Sequence, residues 1–466
     1  MAGFIINLLT PTLRRWASFT LSLSAPRDHR EPRVRGLFQG TASALIARVL
    51  AIFISVISVP LTIGYLGGER YGAWVTIVSV ITFLGITDFG LAASLTNALG
   101  KAQAEDAHRV GQRLVSSALL MLSLIAISIL IVGNALAPHI AALLFPSLQS
   151  PVARAEIVPA VMIALSIFAL NLPLLITSRV LAAYQESALA NLWNMAGSLG
   201  NLVALLAVIW FRGGLPWLVF GCFGLGLAAN LACAVWLFGF HKPWLRPKVA
   251  SIDLAFMRTL FSDGWKFFVI GAGWMVNWQT DNMVIAHFLG ASQVTPYAVT
   301  FSLFAIATGL QTLAYPNLWP AYTEAYAQRD YDWIRKTLRS NFKFSLFTTT
   351  AIVGFLTIFG GEIIRLWAGA AAVPPFSVII WMALWRLMLS TLLAGSCLLN
   401  ATGHLKGMTV YGTVTAVLNL TLSILLAQIY GITGVIAATV IAFAVANYLP
   451  TFLEVRSVLR KCATDK

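Results

Sequence analysis

Apolar residues in this sequence come in long unbroken stretches, not in alternating pairs or narrow amphipathic stripes. Six stretches lie near 41–64, 72–99, 114–138, 158–183, 188–211 and 216–240, and six more near 264–289, 297–320, 338–361, 376–402, 406–430 and 431–453. At about 1.5 Å of rise per residue, each is long enough to cross a hydrocarbon core about 30 Å thick. In lipid every backbone polar group must be paired within its own segment, so stretches of this length predict helices. A membrane barrel would show alternating segments of roughly ten residues, and the chain has none. The predicted fold class is therefore an all-α polytopic membrane protein with about twelve transmembrane helices.

Composition agrees. Of 466 residues 59% are apolar and 10% charged, and the mean hydropathy is +0.82. A soluble domain carries about a quarter charged residues. The net charge of +14 does not point to nucleic acid, because the charges sit between the stretches. With the N-terminus inside, 24 Lys and Arg fall on one face and only Arg70, Arg154, Arg212 and Arg365 on the other. This asymmetry predicts that both termini are cytoplasmic. Three arginines, Arg48, Arg179 and Arg386, remain inside the stretches. Cys222, Cys233 and Cys397 lie in apolar stretches and Cys462 in the tail, with no spacing that suggests a metal, disulfide or redox site. No cofactor is expected.

The chain also repeats itself. Tyr65-Leu66-Gly67 ends the first stretch and Phe288-Leu289-Gly290 the seventh. Asp106, Val110 and Leu114 match Asp330, Ile334 and Leu338, and Ala183, Asn201 and Leu202 match Ala401, Asn419 and Leu420. Both halves start on the same side, so the pattern predicts two six-helix bundles related by a pseudo-two-fold axis along the membrane normal, an arrangement used by transporters. The expected organisation is a basic cytoplasmic tail at 1–40, bundles at 41–240 and 264–453, and a cytoplasmic tail at 454–466. Between the bundles, 241–263 carries Ile252, Phe256, Met257, Leu260 and Phe261 at helical spacing. It is expected to form an interfacial amphipathic linker helix.

The stretch Tyr65-Leu66-Gly67-Gly68-Glu69-Arg70-Tyr71-Gly72-Ala73-Trp74, followed by Ile86-Thr87-Asp88-Phe89-Gly90-Leu91, resembles the first outside loop and second span of bacterial polysaccharide-transporter-type flippases. These belong to the multidrug/oligosaccharidyl-lipid/polysaccharide exporter superfamily. The resemblance implies translocation of a polyprenyl-diphosphate-linked oligosaccharide to the outer leaflet by alternating access. It also implies a lipid-linked glycan and membrane lipid as partners, a proton or sodium as coupling ion, and a polymerase or glycosyltransferase of the same pathway as candidate partners.

Ionisable groups inside spans cost a few kcal/mol each on insertion scales, so each calls for a role. Arg386 lies about ten residues into the tenth span and is expected to face a wet cavity or a partner. Arg48 shares a helix face with Ser55, Ser58 and Thr62, and either lines a lumen or snorkels to the surface. Arg179 and Lys266 lie nearer the inner interface, where snorkelling is favoured. Asn277, Trp278 and Asp281 share a face with Trp274, which predicts a cavity wall. Gln311 and Tyr315 are weaker cavity candidates, and the Asn191, Asn194, Ser198 and Asn201 stripe suits helix–helix bonding. Arg supplies the forked donors that a diphosphate requires. Asp88 and Asp281 are candidates for ion pairing or for a coupling cation.

Two other readings compete. A cation-coupled multidrug or small-solute antiporter shares the architecture, but its cationic site favours carboxylates, whereas the spans here hold about as many bases as acids. A membrane glycosyltransferase or polymerase requires catalytic groups at a membrane face, and the loops at 139–157 and 362–375 offer only His139, Glu156 and Glu362. The GxxxxGK[ST] phosphate loop is absent from the sequence.

Overall fold

In the computed structural model, residues 31–464 are described apart from His404, and side chains from Ser43 onward except at 44, 266–267, 269–270, 274, 310, 313–314, 316–317, 404–406 and after 460. The described chain is helical throughout. Its helices are α1 (Glu31–Leu84), α2 (Leu91–Ala104), α3 (His108–Ser128), α4 (Asn134–Leu144), α5 (Pro151–Asn171), α6 (Leu175–Ala183), α7 (Ser187–Trp210) and α8 (Leu215–Trp236). The second half contains α9 (Leu254–Leu289), α10 (Ala291–Phe304), α11 (Gly309–Ala327), α12 (Tyr331–Ala368), α13 (Phe376–Ala401), α14 (Leu405–Phe443) and α15 (Leu449–Thr464).

Among the described residues eight helices are long and apolar enough to cross a membrane. Two of these, Leu45–Asp88 and Gly407–Arg460, are broken by glycines with non-helical backbone, Gly67 and Gly431, and so hold two passes each. Helix α9 and the α10–α11 pair add two more. The result is the expected six-plus-six arrangement in two lobes.

The backbone repeats along with the sequence. Gly67 (φ 75°, ψ 168°) ends the first pass, and Gly290 (φ 92°, ψ 156°) ends the seventh. Only a residue without Cβ takes this conformation at low cost, which accounts for glycine at both places. Positive φ recurs at Asp106 and Arg329, at Gln185 and Gly403, and at Arg212 and Gly431. Each pair sits at corresponding helix ends in the two halves.

Three expectations at the ends of the lobes change. Helix α1 is described from Glu31 onward, so the part of the expected tail at 31–40 is helical; residues 1–30 lie outside the described residues. The expected tail at 454–466 continues α15 as far as Thr464. The linker at 241–263 is not a separate helix. Short turns at Pro243–Leu245 and Val249–Ser251 lead into α9, which runs unbroken from Leu254 into the seventh pass.

The reason lies in the linker's partners. Gln112 Nε2 donates to Arg246 O (2.9 Å), Lys248 N to Ser116 Oγ (3.1 Å) and Asp253 N to Ser117 Oγ (2.9 Å). Leu245 and Leu260 are buried in the core of the N-terminal lobe. Part of the backbone of this stretch is held by α3, and Leu245 and Leu260 are covered by protein, while Val249, Leu254 and Phe261 remain exposed.

The lobes meet tightly at the sparsely charged end. Thr295 Oγ1 donates to Gly68 O (2.6 Å), Asn282 Nδ2 to Ser79 Oγ (2.9 Å) and Trp367 Nε1 to Val56 O (2.7 Å). A Cβ on Gly72 would lie 1.7 Å from Ala291 O, so only glycine permits this approach. Toward the basic end the packing loosens: none of the residues 45–56 of α1 is buried, whereas Val59, Thr62, Ile63 and Leu66 are. The basic half of α1 thus has little protein cover. At the same end the lobes are joined through α9, where Phe268 packs on Phe89 with ring centres 5.3 Å apart.

Candidate functional site

The most polar part of the interior lies in the C-terminal lobe, where α9, α10, α13 and α14 converge. Asp281 on α9 is 6% exposed and Arg386 on α13 is 2% exposed. Burying either charge is costly without partners. Asp281 Oδ2 accepts from Tyr297 Oη (2.5 Å) on α10 and lies 3.1 Å from Thr439 Oγ1 on α14. Thr439 Oγ1 is also 3.2 Å from Asn419 Oδ1, which accepts from Ser423 Oγ (3.1 Å). One hydroxyl proton serves one acceptor at a time, so the network has alternative states. Asp281 Oδ1 and Asn419 Nδ2 both lack partners.

Arg386 is held differently. Its Nη2 donates to Phe301 O (2.9 Å), and its guanidinium carbon lies 4.6 Å from the Phe301 ring centre and 4.5 Å from that of Trp385. Stacking on aromatic faces offsets part of the desolvation of a guanidinium. Its Nε is without a partner. Among the described residues no carboxylate pairs with it. Trp278 stands edge-on to both rings, 6.0 Å from Phe301 and 5.4 Å from Trp385. Asn277, Trp278, Trp385, Thr415, Thr439 and Asn447 line a cavity of about 20 Å³ beside this cluster, large enough for about one water.

The structure therefore brings Asn277, Trp278, Asp281 and Arg386 into one neighbourhood. Asn277 Nδ2 also donates to Gly273 O (3.0 Å) and reaches Gly412 O (3.4 Å), tying α9 to α14. Gln311 serves elsewhere. It is buried among Thr348, Thr349 and Ser390, with Nε2 2.8 Å from Thr349 Oγ1, and the reversed amide orientation satisfies all its neighbours. It clamps three helices together. Tyr315 likewise accepts from Asn400 Nδ2 (3.0 Å).

The N-terminal candidates stand apart from the cluster. Arg48 and Arg179 are exposed, and the side chain of Lys266 lies outside the described residues. Asp88 Oδ1 accepts from Gly90 N (2.9 Å), at the break where Gly85–Asp88 form a short turn before α2. On α7, Asn191 Nδ2 donates to Ser43 Oγ (3.0 Å), the helix-joining role expected of that stripe.

Tyr297, Asn419 and Thr439 were not singled out by the sequence reading. Thr415, Asn419 and Ser423 stand at i, i+4 and i+8 in an apolar span. That polar stripe was the available signal.

Comparison with known proteins follows the same lines. A family model described as polysaccharide biosynthesis protein matches residues 37–325, more than half of the chain. The chain belongs to the polysaccharide biosynthesis protein family. A candidate O-antigen export protein of Yersinia pseudotuberculosis is 23% identical over 432 residues, covering 91% of this polysaccharide biosynthesis protein and 97% of the relative. Among solved structures, an inward-facing multidrug resistance MATE family transporter of the MOP superfamily superposes with a TM-score of 0.76 at 14% identity, covering 89% of this chain and 96% of the other. An outward-facing MATE family transporter gives 0.62 at 15% identity, covering 95% and 98%. A MOP superfamily transporter from Pyrococcus furiosus, noted for reversed polarity of its binding pocket, gives 0.64 at 14%, covering 93% and 97%. The family member thus shares the fold of these transporters.

Proposed function

We propose that this polysaccharide biosynthesis protein is a flippase, carrying a polyprenyl-diphosphate-linked oligosaccharide from the cytoplasmic to the outer leaflet by alternating access. The reading is supported by the family, by the O-antigen export relative and by a fold shared with solved transporters, which superposes better on an inward-facing than on an outward-facing one. The carrying observation is Arg386: a buried guanidinium with an unpaired Nε and no carboxylate paired to it among the described residues. A buried positive charge of this kind favours an anionic group near the inner face of the C-terminal lobe. The 20 Å³ cavity is far too small for a glycan, so the cargo occupies the cleft between the lobes while its tail stays in lipid. The basic end is cytoplasmic on the positive-inside rule, which makes this arrangement inward-open. In this reading the protein leaves its cargo chemically unchanged and acts as a transporter, with other enzymes of the pathway building and polymerising the glycan.

Of the two carboxylates, Asp281 is the better coupling group. Its unpaired Oδ1, the adjacent Asn419 and the switchable Thr439 hydroxyl suit a proton or sodium, whereas Asp88 already caps a helix break. The same buried carboxylate among aromatics is what favours the alternative, a cation-coupled drug antiporter.

A flipping assay decides between them. With fluorescent lipid-linked oligosaccharide in proteoliposomes, the native protein is expected to move the label between leaflets, and Arg386→Gln to slow it at least tenfold while eluting as a monodisperse folded protein. Undiminished flipping by the variant defeats the assignment. Efflux of cationic dyes with no movement of the glycan lipid establishes the antiporter.

A further inference from the structure

A groove of about 470 Å³ runs between α12 and α15 at the basic end of the C-terminal lobe, with α13 as its floor. Its walls include Leu338, Phe342, Leu392 and Val455, and Arg335, Arg339 and Arg456 stand along it. Arg339 and Arg456 are exposed, and Arg456 lies over the Phe452 ring at 4.5 Å. Arg335 donates to Leu459 O (3.3 Å) and has only a distant carboxylate, Asp332 at 3.9 Å. Among the described residues no carboxylate neutralises Arg339 or Arg456.

The corresponding place in the N-terminal lobe is filled. Leu114 and Leu338 are matching positions in the two halves, and the same offset pairs Gly111 with Arg335, Val115 with Arg339 and Ala118 with Phe342. Against that strip of α3 lies the linker. Leu245 packs so closely that a Cβ on Gly111 would sit 3.0 Å from its Cδ2, and Val115 and Ala118 are buried. Where one lobe has small and apolar residues under a protein cover, the other has arginines beside an apolar trough that no described element covers.

We propose that this trough is a binding site for an anionic membrane phospholipid, its acyl chain between α12 and α15 and its phosphate on the arginines. The volume lies in the range of small-ligand pockets. Guanidinium forks match phosphate oxygens, and basic pockets between transmembrane helices take anionic headgroups. The protein's own N-terminal segment is the wrong occupant: Arg14, Arg15, Arg27, Arg30, Arg33 and Arg35 would add like charge to the rim. The inference is independent of the flippase reading, since any membrane protein with this trough would bind lipid there.

The test uses the full chain, purified and delipidated, with lipid retention read by native mass spectrometry. Phosphatidylglycerol is expected to bind at least tenfold more tightly than phosphatidylcholine, and R335Q/R339Q/R456Q to abolish that preference while the protein stays monodisperse. A photoreactive phosphatidylglycerol should label α12 and α15 in the native protein, an outcome that does not depend on the variant folding. Equal retention of the two lipids, an unchanged triple variant, or labelling elsewhere overturns the proposal. Inorganic diphosphate displacing the lipid would mark a free-phosphate site, and preferential displacement by a polyprenyl diphosphate would mark a cargo site. Either result overturns it as well.

Discussion

The two lobes follow one plan of six passes but place their polar groups in opposite ways. In the N-terminal lobe the charges within or beside the passes stay at the surface, as with Arg48 and Arg179, cap a helix break, as with Asp88, or are buried in an ion pair at its basic end, as Lys242 is with Glu186 (2.8 Å). In the C-terminal lobe Asp281 and Arg386 are both buried, surrounded by Tyr297, Thr439 and Asn419 on one side and by Trp385 and Phe301 on the other. One lobe is a frame, and the other holds a charged interior that costs stability to maintain. Buried charges are kept where they are used, which is why the C-terminal lobe is the expected seat of cargo attraction and coupling.

The sharpest way to break this contrast is to remove one carboxylate from each lobe. Asp281→Ala leaves Tyr297 Oη without its acceptor and a buried cavity beside Arg386. Leaving a buried hydroxyl unsatisfied costs about 1–3 kcal/mol, and the cavity adds to it. Asp88→Ala loses only a capping bond to Gly90, worth about 1 kcal/mol. Unfolding of the two variants in graded denaturing detergent should show this order, and equal losses would mean that the lobes do not differ as described.

A smaller but still large effect is expected where the linker seals the N-terminal lobe. Leu245 is fully buried against α3, so Leu245→Ala is expected to cost about 2–4 kcal/mol as a large-to-small core change. Leu338→Ala, at the matching place, borders a trough that already exists, and about 1 kcal/mol is expected. Leu245→Ala should also give the N-terminal lobe a lipid-accessible groove. That gain is readable as additional labelling of α3 by a photoreactive lipid.

Hydropathy alone located the passes, because length and apolarity are what a bilayer selects. The repeat was also readable, since Gly67 and Gly290 mark the same reversal in each half. The linker was misread for a physical reason: Ile252, Phe256 and Leu260 have helical spacing whether lipid or protein covers them, and the hydrogen bonds from α3 that decide the matter are long-range. Arg386 and Asp281 stood out as charges in apolar spans, but their partners did not. Tyr297, Asn419 and Thr439 are ordinary in such helices until folding brings α10 and α14 against α9. Gln311 went the other way, a polar residue expected at a cavity that instead bonds three helices together.

Single hydroxyls test the contrast more finely. Thr439→Val keeps the shape and removes one donor from Asp281. Interhelical hydrogen bonds in membranes average about 0.6 kcal/mol and reach about 1.7, so the stability loss should be slight. The switchable network would nevertheless lose its alternative states, and ion-dependent flipping is expected to fall more than stability does. Arg48→Gln is expected to show the smallest stability change, within about 0.5 kcal/mol, because Arg48 is exposed on the loosely packed half of α1. Its transport effect is the informative part. If Arg48 lines the cleft, its loss slows flipping several-fold and the slowing is weaker at high salt, since screening already weakens an exposed charge in the native protein. If it only snorkels to the surface, flipping is unchanged at every salt concentration. Arg386→Gln should show no such salt dependence, because a buried guanidinium is screened far less, and that difference measures how unlike the two lobes are.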